Sequence, residues 1–242
     1  PALFFDFQGD EIEIRCDFYD LIADAFATNF VRRMAQWCSE QDTYFTGHLY
    51  GEEFLSFHIT SYGSIMRAAR EMTMPGIDQL GGGFVGRSLM NMPTLAHTST
   101  FGGIAPKFIS SAAHLADRAR TISESHGFSG RKRGTTYSDF VATANWQTVL
   151  GINTLPYYSF DWVDATAEQK REYSRYAGRL SYMTSGGVHH ADVAVLYPIA
   201  TGWAHHSPLD SAFSENRRQE WTDESIDRLQ SMCDDVSRAL LE

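Results

Sequence analysis

Thr121-Ile122-Ser123-Glu124-Ser125 is a short β-prone run that stops abruptly in a chemically capable residue. Three further runs behave alike: Tyr44-Phe45-Thr46-Gly47-His48, Gly76-Ile77-Asp78-Gln79-Leu80, and residues 152–160. Longer stretches of helical character separate them. Strands alternating with helices imply βαβ units and a parallel sheet. Polar residues at the strand ends then fall on one edge, which is where TIM barrels place their chemistry. The expected fold class is therefore α/β, a partial (β/α)8 barrel.

Working outward, helices are expected over 17–40, 53–73, 106–118, 136–150, 167–185 and 222–241. The first is expected to take Asp17 as its N-cap and to bury a stripe of Phe18, Leu21, Ile22, Ala25, Phe26, Phe30, Met34, Trp37 and Cys38. Pro75 is expected to help end the second before strand 76–80. Gly151 follows the helix over 136–150 as a C′ glycine, and Thr166-Ala167-Glu168-Gln169 reads as a capping box. Residues 81–104, rich in Gly, Ser, Thr, Asn and Met, read as a long functional loop. Leu3-Phe4-Phe5-Asp6-Phe7 and Asp192-Val193-Ala194-Val195-Leu196-Tyr197 read as two more strands. The first begins with almost no lead-in, and the second is followed by a single helix. One strand and one helix cannot bury a core alone. The chain is thus expected to be an internal piece of a longer polypeptide, with Gly186-Gly187 and His189-His190 marking a boundary between a βα array over 1–188 and the beginning of a second α/β domain over 189–242.

The chain has 242 residues, 43% of them hydrophobic and 21% charged, an ordinary globular composition. Its net charge of −10 disfavours nucleic acid as a partner. No apolar run reaches the roughly 18 residues of a membrane helix. Cys16, Cys38 and Cys233 form no CxxC pair, so neither a zinc site nor a disulfide framework is indicated. The basic cluster Arg131-Lys132-Arg133 reads as a solvated loop or an anion contact. No GxSxG elbow, P-loop or strand-linked GxGxxG occurs.

Glu124 is the first catalytic candidate, a strand-tip carboxylate followed by a glycine-containing loop. Asp6, Asp10 and Glu11 lie after the first apolar run and are candidates for a partner acid. His48 and Asp78 sit at strand tips and are candidates for holding a substrate hydroxyl, or for ordering the turns. Glu52 and Glu53 suit either a site or the dipole of a helix start. Tyr157, Tyr158, Phe160 and Trp162 offer rings suited to sugar faces, or to core packing. His189-His190 and His205-His206 lack the spacing of metal ligands on a helix.

Several runs, taken in order, resemble the large multidomain bacterial glycoside hydrolases of the α-L-rhamnosidase type. They are Tyr44 to Leu49, Gly51-Glu52-Glu53, Gly63 to Arg67, Met74 to Asp78, Ser123 to Gly127, Ala144 to Gln147, Gly151 to Asn153 and Tyr157 to Ser159. Ala191 to Pro198 then resembles the first strand of the flavodoxin-like domain that follows the barrel. The resemblance implies barrel strands four to eight, an oligo- or polysaccharide substrate of plant or microbial origin, and a periplasmic or secreted location. It implies two catalytic carboxylates, after strands four and seven, with Glu124 at the second position. At the first, the family's Asp-Glu-Pro is replaced by Asp6-Phe7-Gln8, with Phe at the place of the expected acid, which leaves Asp10 or Glu11 to take over. No cofactor is required, although relatives can hold calcium. The alternative is a catalytically inactive carbohydrate-binding barrel. Acetal cleavage needs one carboxyl held protonated and another ionised.

Overall fold

A computed structural model describes residues 1–7, 9–79, 104–125, 137–156, 165–206 and 224–241. It is a mixed α/β structure, mostly helical, around a small parallel sheet. Strand β1 (Thr46–Gly47) pairs with β2 (Met74–Gln79), and β2 pairs with β3 (Ile122–Ser125), in chain order. Thr46 lies opposite Met74, Gly76 opposite Ile122 and Asp78 opposite Glu124. An extended segment beyond β3 adds a parallel bridge between Ile122 and Thr154, with Ser123 N–H donating to the Thr154 carbonyl at 3.0 Å and Ser125 N–H to that of Pro156 at 3.1 Å. Parallel neighbours need helical crossovers, and the chain supplies them.

Helix α1 (Asp10–Ala25) continues through a π-helical turn, Phe26–Val31, into α2 (Arg32–Glu40). The Asp17 expected as an N-cap lies inside α1. The start is set seven residues earlier by Gly9 (φ 107°) and by Glu11, whose carboxylate accepts from Phe7 N at 2.7 Å and Gly9 N at 3.0 Å. The expected second helix is two, α3 (Leu55–Tyr62) and α4 (Ile65–Glu71). Gly63 (φ 77°) breaks them, and Ser64 restarts the second by accepting from Arg67 N. Pro75 stands within β2 rather than before it.

Helices α5 (Ala105–Leu115), α6 (Tyr137–Val149) and α7 (Ala167–Thr184) follow. Gly151 (φ 99°) ends α6, and the Thr166–Gln169 capping box opens α7 as expected. The main core gathers Ile77, Ile109, Ala112, Phe140, Ala144, Ile152 and Tyr173 between sheet and helices. Helices α8 (Ile199–His205) and α9 (Glu224–Leu241) complete the described chain. They share a second cluster with α1 and α3: Tyr19, Ala23, Leu55, Ile59, Trp203 and Ile226. No helix of the described residues is long and apolar enough to cross a membrane.

Two expected strands are absent. Residues 3–7 form turn and coil: Phe4 and Phe5 amides donate to the Pro1 carbonyl at 2.9 and 3.0 Å, and Phe4, Phe5 and Phe7 are exposed. Residues 192–197 run without a ladder partner, with Val193, Val195 and Leu196 exposed. An apolar run becomes a strand only where a neighbour supplies hydrogen bonds. Of the run 152–160, residues 152–156 are described, and Thr154 makes the bridge. The expected stripe on the first helix is also largely exposed, at Phe18, Leu21, Ile22, Phe30, Met34 and Trp37. The buried row is instead Tyr19, Ala23, Ala27, Val31 and Ala35, spaced four apart.

Candidate functional site

The site is built at the C-terminal ends of the three strands. Side chains alternate across a sheet, so residues in register share a face. Register therefore sets Asp78 and Glu124 side by side. His48, the residue after β1, reaches across both: Nε2 lies 3.2 Å from Glu124 Oε2 and Nδ1 lies 3.9 Å from Asp78 Oδ2. Gly76 permits this approach, because a Cβ there would collide with the Gly47 carbonyl oxygen and lie 2.7 Å from Ile122 Cγ2. Ser123 and Ser125, pointing to the other face, are buried, and Ser125 donates to Gln147 Oε1 of α6 at 3.0 Å. Asn153 secures the start of β3, accepting from Thr121 N at 2.9 Å and donating to the Ala119 carbonyl at 2.8 Å.

Glu52 stands on the turn before α3 rather than at a helix start, and it is buried. Its Oε1 accepts from Leu49 N at 2.7 Å and Asp78 N at 3.3 Å, and lies 3.6 Å from His48 Nδ1. One carboxylate thus ties β1's exit to β2's end. Burial pushes the Glu52 carboxyl up, against the opposing pull of His48. Glu53, next on the turn, is pushed up to about 7, first by burial and then by the negative charge of Glu52. His48 is raised to about 9 by its hydrogen bond to Glu52, helped by the charges of Glu52 and Asp78. At neutral pH it is an imidazolium among carboxylates.

Below this layer, His58 is fully buried and its pKa is lowered to about 4 by burial. Its Nε2–H donates to the Glu52 carbonyl at 2.8 Å, which leaves Nδ1 to accept from the Tyr197 hydroxyl at 2.7 Å. Tyr62, buried beside it, has a hydroxyl with no hydrogen-bond partner among the described residues.

His48, Asp78 and Glu124 are therefore brought together, with Glu52 and Glu53 close behind. Asp6 and Glu11 are not at a strand tip. Asp6 is 80% exposed and pairs with Arg15 at 2.9 Å, while the Glu11 carboxyl is held below its usual range by its own and the Phe7 backbone amides. Both serve the α1 start, because the strand that was to carry them does not form. Tyr157 and Trp162 lie outside the described residues, as do Tyr158, Phe160, Arg131-Lys132-Arg133 and the loop over 81–103. His189 stacks on His114 with centroids 3.8 Å apart, and His190 lies 3.9 Å from Asp192. The sequence reading missed His58, Tyr197 and Gln230, which support the site from helices and a coil whose local pattern carries no functional signal.

His48, Asp78 and Glu124 present one nitrogen and two oxygens within 4.8 Å of one another, an arrangement that can hold a metal ion. A nitrogen-plus-oxygen set suits zinc or manganese. Calcium takes six to eight oxygens, and this trio supplies too few. No protein-family model matches the chain, and neither curated proteins nor solved structures yield a significant match.

Proposed function

We propose that the chain is part of a glycoside hydrolase that cleaves oligo- or polysaccharide by a two-carboxylate mechanism, on the strand-end edge of a partial (β/α)8 barrel. The parallel strands in chain order, with chemistry on one edge, support the barrel reading. The observation that carries the function is the pair of contrasting carboxyl environments around His48. The half-buried Glu53 holds its proton up to about pH 7 because desolvation and the neighbouring charge of Glu52 oppose its ionisation. Glu124 lies against a cationic imidazole. A carboxyl kept protonated by its surroundings suits the general-acid role.

Glu53 then protonates the departing glycosidic oxygen, taking the part first assigned to Asp6 or Glu11. Glu124 acts as nucleophile or as base toward water, and His48 keeps it oriented. Asp78 binds substrate hydroxyls. The test uses aryl glycosides, α-L-rhamnoside among them, with the full polypeptide. Glu124→Gln is expected to cut turnover by about 10³-fold or more. Glu53→Gln is expected to lose activity on poor leaving groups and to keep it on activated ones that need no proton. Near-normal turnover by Glu124→Gln removes the reading. Sugar binding without any hydrolysis by the unaltered protein favours the inactive carbohydrate-binding alternative.

The three-donor cluster favours a second reading, in which the same residues hold a divalent cation. Thermal unfolding with zinc, manganese or calcium against a chelator separates the two. A cation that raises Tm of the unaltered protein but not of Asp78→Asn supports the metal reading, with calcium expected to be the weakest. No Tm change with any of the three rejects it.

A further inference from the structure

We infer that Gln230 of α9, together with Tyr197 acting through His58, is the positioning device for the Glu52-Glu53 turn, so that the C-terminal segment shapes a site built on the sheet. The role in catalysis rests on the hydrolase reading; the clamp itself does not.

Both the oxygen and the nitrogen of the Gln230 amide bond to one short piece of backbone. Its Oε1 accepts from Leu55 N at 2.6 Å, and its Nε2 donates to the Glu53 carbonyl at 2.6 Å. A side chain that both donates and accepts across residues 53–55 imitates a paired strand and fixes that turn in one conformation. Gln230 is buried, its bond to Leu55 N lies in the interior, and its bond to the Glu53 carbonyl is partly buried. A buried glutamine in the interior of α9 would be more cheaply replaced by an apolar residue, unless its amide were needed.

A second hold comes from the other side. The Tyr197 hydroxyl fixes the His58 ring, and the ring donates to the Glu52 carbonyl. The carbonyls of both glutamates are therefore gripped by residues drawn to this point by segments over 100 positions away. With both peptide groups held, the two carboxylates are constrained: Glu52 toward Leu49 and Asp78, and Glu53 beside Glu52.

Gln230→Met keeps the volume and removes both bonds. The expected result is a rise of about tenfold or more in amide exchange at Leu55 with the amides of α1 unchanged, and displaced carboxyl ¹³C resonances of Glu52 and Glu53 at a fixed pH. On a glycoside that the unaltered protein hydrolyses, kcat is expected to fall about tenfold with KM within about twofold. Gln230→Asn, which keeps the amide on a shorter stem, is expected to fall between. A lower Tm with unmoved carboxyl resonances and unmoved Leu55 exchange overturns the inference. If Gln230→Met does not fold, Tyr197→Phe carries the same readout, because it keeps the ring and deletes only the hydroxyl. Displaced resonances in a chain that hydrolyses no glycoside leave the clamp standing and remove the hydrolase reading. Hydrolysis by the unaltered chain with unmoved resonances removes the clamp alone.

Discussion

Glu53 and His48 lie in one cluster, and both contribute stability that is lost as pH rises, over successive ranges. The folded state raises the Glu53 carboxyl from 4.5 to about 7, so the native protein binds a proton there more tightly than the unfolded chain. Stability from this group is therefore greatest at acid pH and declines as pH rises from about 4.5 through 7. Glu53→Gln removes that decline. Calorimetry at pH 8 is expected to give the variant a higher Tm, by a margin worth on the order of 2 kcal/mol, and at pH 5 the same Tm as the unaltered protein. A lower Tm at pH 8 would mean that the ionised carboxylate is paired. For His48, raised to about 9, the contribution is full below about 6.5 and is lost as pH climbs through 9. At this scale the sequence was informative. Glu124, His48 and Asp78 each end a β-prone run, and the parallel register brings those ends together. Asp6 failed because its role depended on a strand over 3–7 that has no neighbour.

The elements turn on a few close approaches. Gly76 is the narrowest, because its missing Cβ leaves room for the Gly47 carbonyl on one side and for Ile122 on the other. Gly76→Ala forces β1 and β3 away from β2. It is expected to cost about 2 kcal/mol or more, seen as a lower denaturant midpoint, and to displace the His48 ring resonances, since β1 carries that residue into the site. An unchanged midpoint would mean that the strand edges can part freely. Helix limits were legible where capping chemistry is local: the Thr166–Gln169 box and Gly151 both stand where they were read. The α1–α2 rod was not legible. It carries two apolar rows, and the row spaced four apart through Tyr19, Ala23, Ala27, Val31 and Ala35 is the one that holds the alanines. Small residues let neighbouring backbone approach: the Gly63 backbone comes against Ala23, where an added Cβ would lie 2.7 Å from the alanine's own. The larger Phe, Met and Trp row stays outside.

Across the whole molecule, α8 and α9 pack on α1 and α3 through Trp203 and Ile226, and Tyr197 and Gln230 reach the site. His58 is the buried joint of this contact and stays neutral, with its pKa lowered to about 4. The unfolded chain protonates that imidazole near 6.5, so stability is full above that pH and is lost as pH falls from 6.5 toward 4. The loss is on the order of 3 kcal/mol. Urea unfolding at pH 5 is expected to give a lower midpoint than at pH 7, and the His58 ring is expected to keep its neutral ¹⁵N signature in native protein at pH 5. A protonated His58 in the folded state at that pH would contradict it. By itself the sequence determined the alternation of strands and helices, the strand-end positions of His48, Asp78 and Glu124, and the local caps. Each of these is encoded within a few neighbouring residues. The tertiary structure alone decided which apolar runs found a ladder, which face of the first helix was buried, and that Glu52 is buried, Glu53 half-buried, and their turn held by His58, Tyr197 and Gln230. Those outcomes depend on partners far along the chain, whose hydrogen bonds and burial no local pattern contains.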